Sequence, residues 1–445
     1  MKVKKIVIKN YRLLRNVTLD LEDDMSLIVG KNNTGKTSFI SLVKKFLSDR
    51  SSSFSFNDFN LDFQKEIIDI IKKKIVNADE YEDLKISLKI TIEYDSDDSL
   101  ENLSKFLIDL NEDNNKIFLQ FDYLLNYEKY EELLKDYETY KSETKGKSEL
   151  EFLKEFSNDY FKIVKKSVDE DNKNEIIIDD TTNKILDVKY ISAKREVESN
   201  DSSNTGDRNL SRLAFKYFDN MKTIEKFEIS GFKKELYETD KALNPEYEKT
   251  FKKLVENVTK FSPDSKIKVT SCIADGDIIK NNTIVTYEMN ETELPEDYNG
   301  LGYMNLLSIL FQIHIALDES KKENGDTKRS DINLLFIEEP EVHTHPQMQY
   351  IFIKNIKMLI KEFKKEMNLQ TIITTHSSHI VSQSDFSDIK YFRKNVDASI
   401  EIKSLKDLSD LYKKTDGTED KEAYNFIKQY LTINRAELNV NNLSK

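Results

Sequence analysis

Apolar and polar positions follow two rhythms along this chain, and the switches between them place its elements. Residues 25–29, MSLIV, form a short unbroken apolar run, the pattern of a strand buried on both faces. From Thr37 onward, in TSFISLVKKFL, apolar residues recur at three- and four-residue spacing, which predicts a helix. Residues 84–94 and 116–123 alternate as strands do. Residues 127–168 are densely charged and read as helical. Residues 198–208, ESNDSSNTGDR, read as a loop. From Leu210 to Lys260 apolar residues return at helical spacing, with one break at Pro245. This segment is either a helical hairpin or short coiled-coil arm for a partner, or a pair of lid helices on the main body. Four further strands follow: Leu334–Ile337, the β-branched run Thr371–Thr375, and a strand pair around 389–404. Strands interleaved with helices in this way predict an α/β fold.

Composition narrows the picture. The 445 residues allow one large domain or two to three ordinary ones. Hydrophobic residues make up 38%, with 25 Phe and 21 Tyr, enough for a sizeable core, so wholesale disorder is excluded. Charged residues reach 33%, and no apolar run approaches the ~18 residues of a membrane span. The N-terminus, MKVKKIVIKNYRLL, lacks the apolar core of a signal peptide. The one cysteine, Cys272, cannot form an internal disulfide, which fits a cytoplasmic location. The net charge of −13 opposes broad non-specific binding to DNA. Local runs such as Lys72-Lys73-Lys74 read as solvated helix faces.

Glycine and proline are scarce, ten and five in all, and their placement is informative. Gly30 and Gly35 lie in Gly30-Lys31-Asn32-Asn33-Thr34-Gly35-Lys36-Thr37, a full GxxxxGK[ST] match between a predicted strand and a predicted helix. Such a loop turns its main-chain N–H groups around phosphates, and the helix N-terminus adds its positive dipole end. Lys36 would supply charge to the β- and γ-phosphates, and Thr37 a hydroxyl to Mg²⁺. The apolar run 334–337 ends in Glu338-Glu339-Pro340. Glu338 is placed to hold Mg²⁺, and Glu339, pointing to the other side of the strand, to polarise the attacking water as general base. Aspartate is commoner than glutamate at the first of these positions. His376 stands at the end of the strand 371–375, where the ligand crevice of an α/β sheet lies. Asn299-Gly300-Leu301-Gly302 precedes an apolar helix and would offer N–H groups to an anion.

In this order the P-loop, the glycine pair, EEPEVHTHP and THSSH resemble the ABC-type ATPase heads related to RecF and SMC. They are most similar to the ATPase half of OLD (overcoming lysogenization defect) nucleases, including the ATPase subunit of Gabija defence. The opening IVIKNYRLLRNVTLDLE and Lys194-Arg195 fit the same family. The resemblance implies an ABC/SMC-like head, a mixed sheet core with an antiparallel β subdomain, plus a helical or coiled-coil insertion. It implies ATP and Mg²⁺ as cofactors. Gly30, Lys31, Asn32, Asn33, Thr34, Gly35, Lys36, Thr37 and Ser38 would bind nucleotide. Thr37 and Glu338 would hold the metal, and Glu339, His376 and Lys36 would serve catalysis, His376 as the switch histidine. Asn299, Gly300 and Gly302 would cap the γ-phosphate of a partner protomer, and Arg12 would touch nucleotide. Gln64 and Gln120 are weak matches to a Q-loop glutamine.

The expected organisation is 1–205 for the first part of the head with its helical insert, and 206–263 for the helical arm. Residues 264–405 carry the signature, Glu338 and His376, and 406–445 form a helical tail. OLD nucleases continue from this head into a metal-holding TOPRIM nuclease domain, and no such domain is read here. Asp95 and Asp97 lie in a polar turn without the family's glutamate motif. The nuclease is therefore expected as a separate chain, as the PARIS and Septu systems resemble, or in a part of a longer protein. The reading is an ATPase that dimerises around nucleotide and controls a nuclease effector in prokaryotic anti-phage defence. DNA contact is an expectation inherited from the resemblance, and no membrane partner is expected. The alternatives are a RecF/SMC-like DNA repair or maintenance ATPase, and a transporter ATP-binding subunit, disfavoured because LSGGQ is missing. His343 and His345 with Glu341, His376 and His379 have zinc-ligand composition, but the histidines already have places in the ATPase motifs.

Overall fold

The computed structural model describes residues 1–47, 53–74, 81–98, 101–108, 114–143, 148–178, 182, 184–192, 209–221, 233–260, 266–271, 283–289, 292–298, 300–321, 330–395 and 399–406. Lys194-Arg195, Cys272, Asn299, the loop 198–208 and the tail beyond 406 lie outside them.

The chain opens with β1 (Lys2–Tyr11) and β2 (Leu14–Asp20), an antiparallel hairpin. Next come β3 (Met25–Gly30), α1 (Lys36–Leu47) and α2 (Leu61–Lys73). β4 (Leu84–Glu93) and β5 (Lys116–Leu125) are followed by α3 (Tyr127–Glu143), α4 (Glu149–Tyr160), β6 (Lys162–Val168) and β7 (Glu175–Ile177). β8 (Leu186–Ser192) leads to α5 (Asn209–Met221) and α6 (Lys233–Thr259). β9 (Lys266–Ser271), β10 (Thr283–Met289) and β11 (Thr292–Pro295) precede α7 (Leu301–Lys321). The last part holds β12 (Ile332–Glu338), α8 (Pro346–Phe363), β13 (Leu369–Thr375), α9 (Ser378–Ser382), β14 (Ile389–Lys394) and β15 (Ile400–Ser404).

The described strands form three sheets, with order β2-β1-β4-β5-β6-β7, β11-β10-β9 and β15-β14-β3-β13-β12-β8. The third is the central sheet. Its strands β14, β3, β13, β12 and β8 run parallel, and β15 is antiparallel at the edge. The other two sheets are antiparallel. The α/β class, the mixed central sheet and the antiparallel sheets agree with the architecture expected from the motifs.

Two-residue periodicity explains the layering. Leu27 and Val29 of β3 and Leu335 and Ile337 of β12 enter one apolar cluster, while Ile28, Leu334 and Phe336 enter the other. The first cluster takes in α5 to α8 and the three-stranded sheet, and the second α1 to α4 and the six-stranded antiparallel sheet. Helix α1 is anchored in the second by Phe39, whose ring lies 6.1 Å from Phe336 and 6.3 Å from Phe392. That contact fixes the start of α1 against the central sheet.

Two expectations are corrected. Residues 162–168 are a strand, not the end of a helical stretch: KIVKKSV pairs along β5, from Leu124 with Lys162 to Phe118 with Val168. Cross-strand pairing overrides local charge density there. The break expected at Pro245 is absent, and α6 runs through that proline. A proline costs one backbone hydrogen bond, which the packing of Tyr247, Phe251, Leu254 and Val258 into the core offsets. The described parts of α5 and α6 pack on the head, against α7, β9 and β10. No described helix is long and apolar enough to cross a membrane.

Candidate active site

Parallel pairing brings the site together. Val29 pairs with Thr375, and Thr374 with Glu338, so β3, β13 and β12 end side by side. Beyond these ends lies a cavity of about 550 Å³, in the range of small-molecule sites. It is lined by Asn32, Asn33, Thr34, Gly35, Lys36, Thr37 and Ser38 from the P-loop. Glu339, Glu341 and Val342 line it from the turn after β12, with His376 after β13 and Leu13 of the β1–β2 turn.

The loop conformation explains its glycines. Asn33 and Gly35 adopt left-handed φ values of 62° and 90°. A Cβ on Gly30 would come within 2.6 Å of Thr34 Oγ1 and 2.7 Å of the Phe392 carbonyl. On Gly35 it would meet Leu14 Cδ2 at 2.8 Å. The loop folds tightly before α1, whose first-turn N–H groups have no intrahelical acceptor and carry no acidic side chain beside them.

Lys36 is 4% exposed. Its ammonium donates to the Gly30 and Lys31 carbonyls at 2.9 Å each and lies 3.3 Å from His376 Nδ1. An ammonium has no acceptor capacity, so Nδ1 accepts and the proton sits on Nε2. That Nε2 lies 2.9 Å from Glu339 Oε1 and donates to it. Lys36, His376 and Glu339 thus form one line across the cavity. Glu339 itself has φ 43°, a left-handed position for a side chain, held by its N–H to the Thr374 carbonyl at 3.0 Å.

Other expected residues fall elsewhere. Glu338 ends β12, half-buried, outside the cavity lining. Arg12 is not brought to the cavity: its guanidinium binds Asp58 at 2.8 and 2.9 Å and lies 5.1 Å over the Tyr11 ring. Gln64 bonds the Phe59 carbonyl and Gln120 bonds Asp122, both away from the cavity. Gly300 and Gly302 stand at the start of α7 and do not line it. His345 caps α8, and His343 turns the chain with φ 61°.

Glu341 and Leu13 fall within the quoted motif segments, but the motif reading gives neither a part in the ATPase site. Glu341 lies two residues after Glu339, but the left-handed turn at Glu339 ends the strand period that would have placed it. Its carboxyl accepts from the His376 N–H, and its Oε2 is buried with no hydrogen-bond partner among the described residues. Burial pushes its pKa up, against the pull of that N–H. Thr37 hydroxyl and Glu338 carboxylate are hard oxygen donors, the chemistry that Mg²⁺ requires. The inward-turned loop and its helix N-terminus suit a polyphosphate.

Residues 1–381 match the family model described as AAA ATPase domain. Endonuclease GajA of Bacillus cereus (strain HuB5-5) is 28% identical over 417 residues, which cover 88% of this chain and 58% of that protein. The chain therefore spans little more than half the length of this curated relative. These two matches support the resemblance to OLD-type ATPases. Among solved structures, the SmcHead bound to the C-winged helix domain of ScpA is similar at 12% identity and TM-score 0.46, over 92% of this chain and 99% of that one. The SMC head domain from Thermotoga maritima is similar at 9% identity and TM-score 0.41, over 91% and 99%.

Proposed function

The chain belongs to the family of AAA ATPase domains, and from that premise we propose that it hydrolyses ATP to ADP and phosphate in the cavity beyond β3, β13 and β12. The observation that carries this reading is the line Lys36–His376–Glu339, with contacts of 3.3 and 2.9 Å.

The P-loop N–H groups and the α1 dipole receive the phosphates. Lys36 leaves its carbonyl partners for the β- and γ-phosphates, an exchange of neutral acceptors for charged ones. Thr37 and Glu338 would hold Mg²⁺, which would supply charge neutralisation for the phosphates. Glu339 accepts the proton of the attacking water as general base. His376, neutral with its proton on Nε2, holds the Glu339 carboxylate in place. Once Lys36 moves to the phosphates, Nδ1 is open to a donor.

Gly300 and Gly302 lie outside the cavity of their own chain, which fits a second copy capping the nucleotide. The assembly proposed is a homodimer around two nucleotides, in the cytoplasm, whose state controls a nuclease effector in anti-phage defence. The name of the relative Endonuclease GajA supports that link. The effector is a partner chain or a further part of a longer protein.

Phosphate release by the purified chain with ATP and Mg²⁺ is the direct test. No release above that of a Lys36→Ala control would sink the reading. A plasmid-nicking assay on the same protein checks the effector assignment: metal-dependent cutting by this chain alone would overturn it.

A further inference from the structure

Strand β13 ends at Thr375, so the next two residues leave the sheet. The main-chain N–H of His376 then has no ladder partner, and the Glu341 carboxylate accepts it. The next residue, Ser377, is 9% exposed and caps α9, accepting from the N–H groups of His379 at 3.1 Å and Ile380 at 3.2 Å. Its hydroxyl donates to Gln349 Oε1 at 2.5 Å. Gln349 Nε2 donates in turn to the Thr344 carbonyl at 2.9 Å. Two consecutive residues of the β13–α9 turn are thus tied to the β12–α8 segment, which also carries Glu339.

We propose that Glu341 and Gln349 are positioning residues that hold His376 between Lys36 and Glu339, so that the base and its imidazole partner are set relative to each other before ATP binds. The proposal rests on the ATPase reading of the cavity. Glu341 is joined to His376 by a hydrogen bond to the main chain, and the role proposed for it requires an acceptor oxygen, not a charge. Gln349 acts one residue further on. A catalytic pair held by such ties loses rate when they loosen, because small displacements of reacting groups are costly.

The ATPase steady state of the full chain tests this, with Glu341→Gln, Glu341→Ala, Gln349→Ala and Glu339→Gln assayed together. Glu341→Ala is expected to lower kcat roughly 10- to 100-fold, the scale of leaving a buried N–H without its acceptor, with KM for ATP changed by less than about threefold. Glu341→Gln keeps the accepting oxygen and is expected to recover most of that loss. Gln349→Ala is expected to lower kcat in the same sense, again without a matching rise in KM. Glu341→Gln as slow as Glu339→Gln, in protein that melts like wild type, would overturn the proposal, because the charge would then be acting itself. Wild-type turnover in both Gln349→Ala and Glu341→Ala would also overturn it. If Glu341→Ala does not fold, the comparison of Glu341→Gln with Glu339→Gln still decides. Wild-type turnover in Glu339→Gln would instead overturn the underlying reading of the base.

Discussion

Asn305 Nδ2 donates a 2.7 Å hydrogen bond to the Val342 carbonyl, joining the first turns of α7 to the turn that follows β12. Gly302 packs on the same turn: an added Cβ would stand 2.4 Å from the His343 carbonyl. At Gly300 an added Cβ would meet nothing within 4 Å among the described residues. The two glycines of one short motif therefore have different surroundings, one packed within its own chain and one open.

Gly302→Ala is expected to destabilise the fold by about 1–3 kcal/mol, since a backbone atom must move to admit the methyl group. Gly300→Ala is expected to stay within about 0.5 kcal/mol of wild type. If Gly300 faces the nucleotide of a second copy, Gly300→Ala lowers ATP turnover without that stability loss. Denaturant unfolding and ATPase assays on both variants check this; equal stability losses would contradict the packing difference.

Lys36→Ala is expected to weaken ATP binding roughly 10- to 100-fold, the scale of losing charge-assisted hydrogen bonds. Its buried ammonium already lies among loop acceptors, so the side chain needs little ordering on binding. Calorimetric titration with ATP is the measurement. Undiminished affinity would show that the loop does not hold the phosphates.

For Glu339→Gln the expected outcome is retained ATP binding with turnover slowed roughly 10²- to 10⁴-fold, the range of general-base catalysis. Blocked hydrolysis should also make a nucleotide-bound dimer accumulate. Light scattering with and without ATP reads this out, and an unchanged monomer mass in the slow variant would count against dimerisation around nucleotide.

Acid sensitivity should map in part to Asp58, whose side chain is 4% exposed. Burial alone would raise its pKa, but the ion pair with Lys45, the Ser55 N–H and Arg12 outweigh it and hold it below the ordinary 3.8. A carboxyl lowered in the folded state contributes stability above its unfolded pKa and loses it as pH falls through the folded one. Wild type should therefore lose stability in urea between about pH 5 and pH 3 more steeply than Asp58→Asn. Parallel slopes would exclude Asp58 as a source of that sensitivity.

Legibility in the sequence followed the span of each feature. The P-loop occupies consecutive residues, so its glycines, lysine and flanking strand and helix could be read together. The strands at 25–29 and 334–337 were legible as nearly unbroken apolar runs and that at 371–375 as a β-branched one, and each is buried on both faces. Residues 162–168 were misread because a short, lysine-rich strand is stabilised by its neighbour β5, not by its own composition. Pro245 was read as a break because local propensity opposes it, whereas the helix is held by side chains buried against other elements.

The sequence by itself determined the chemistry available: a phosphate loop, an acidic strand end and a histidine at another strand end. Only the tertiary structure decided which of these meet. Lys36 and His376 stand 340 positions apart and become neighbours because β13 inserts between β3 and β12 in parallel register. The same folding sends Arg12 to Asp58 and not to the cavity, and brings Glu341 to the main chain of His376. The physical reason is that loops and motifs encode local backbone geometry. Which strand ends lie side by side depends on burying both faces of the central sheet at once, a condition that no single segment carries.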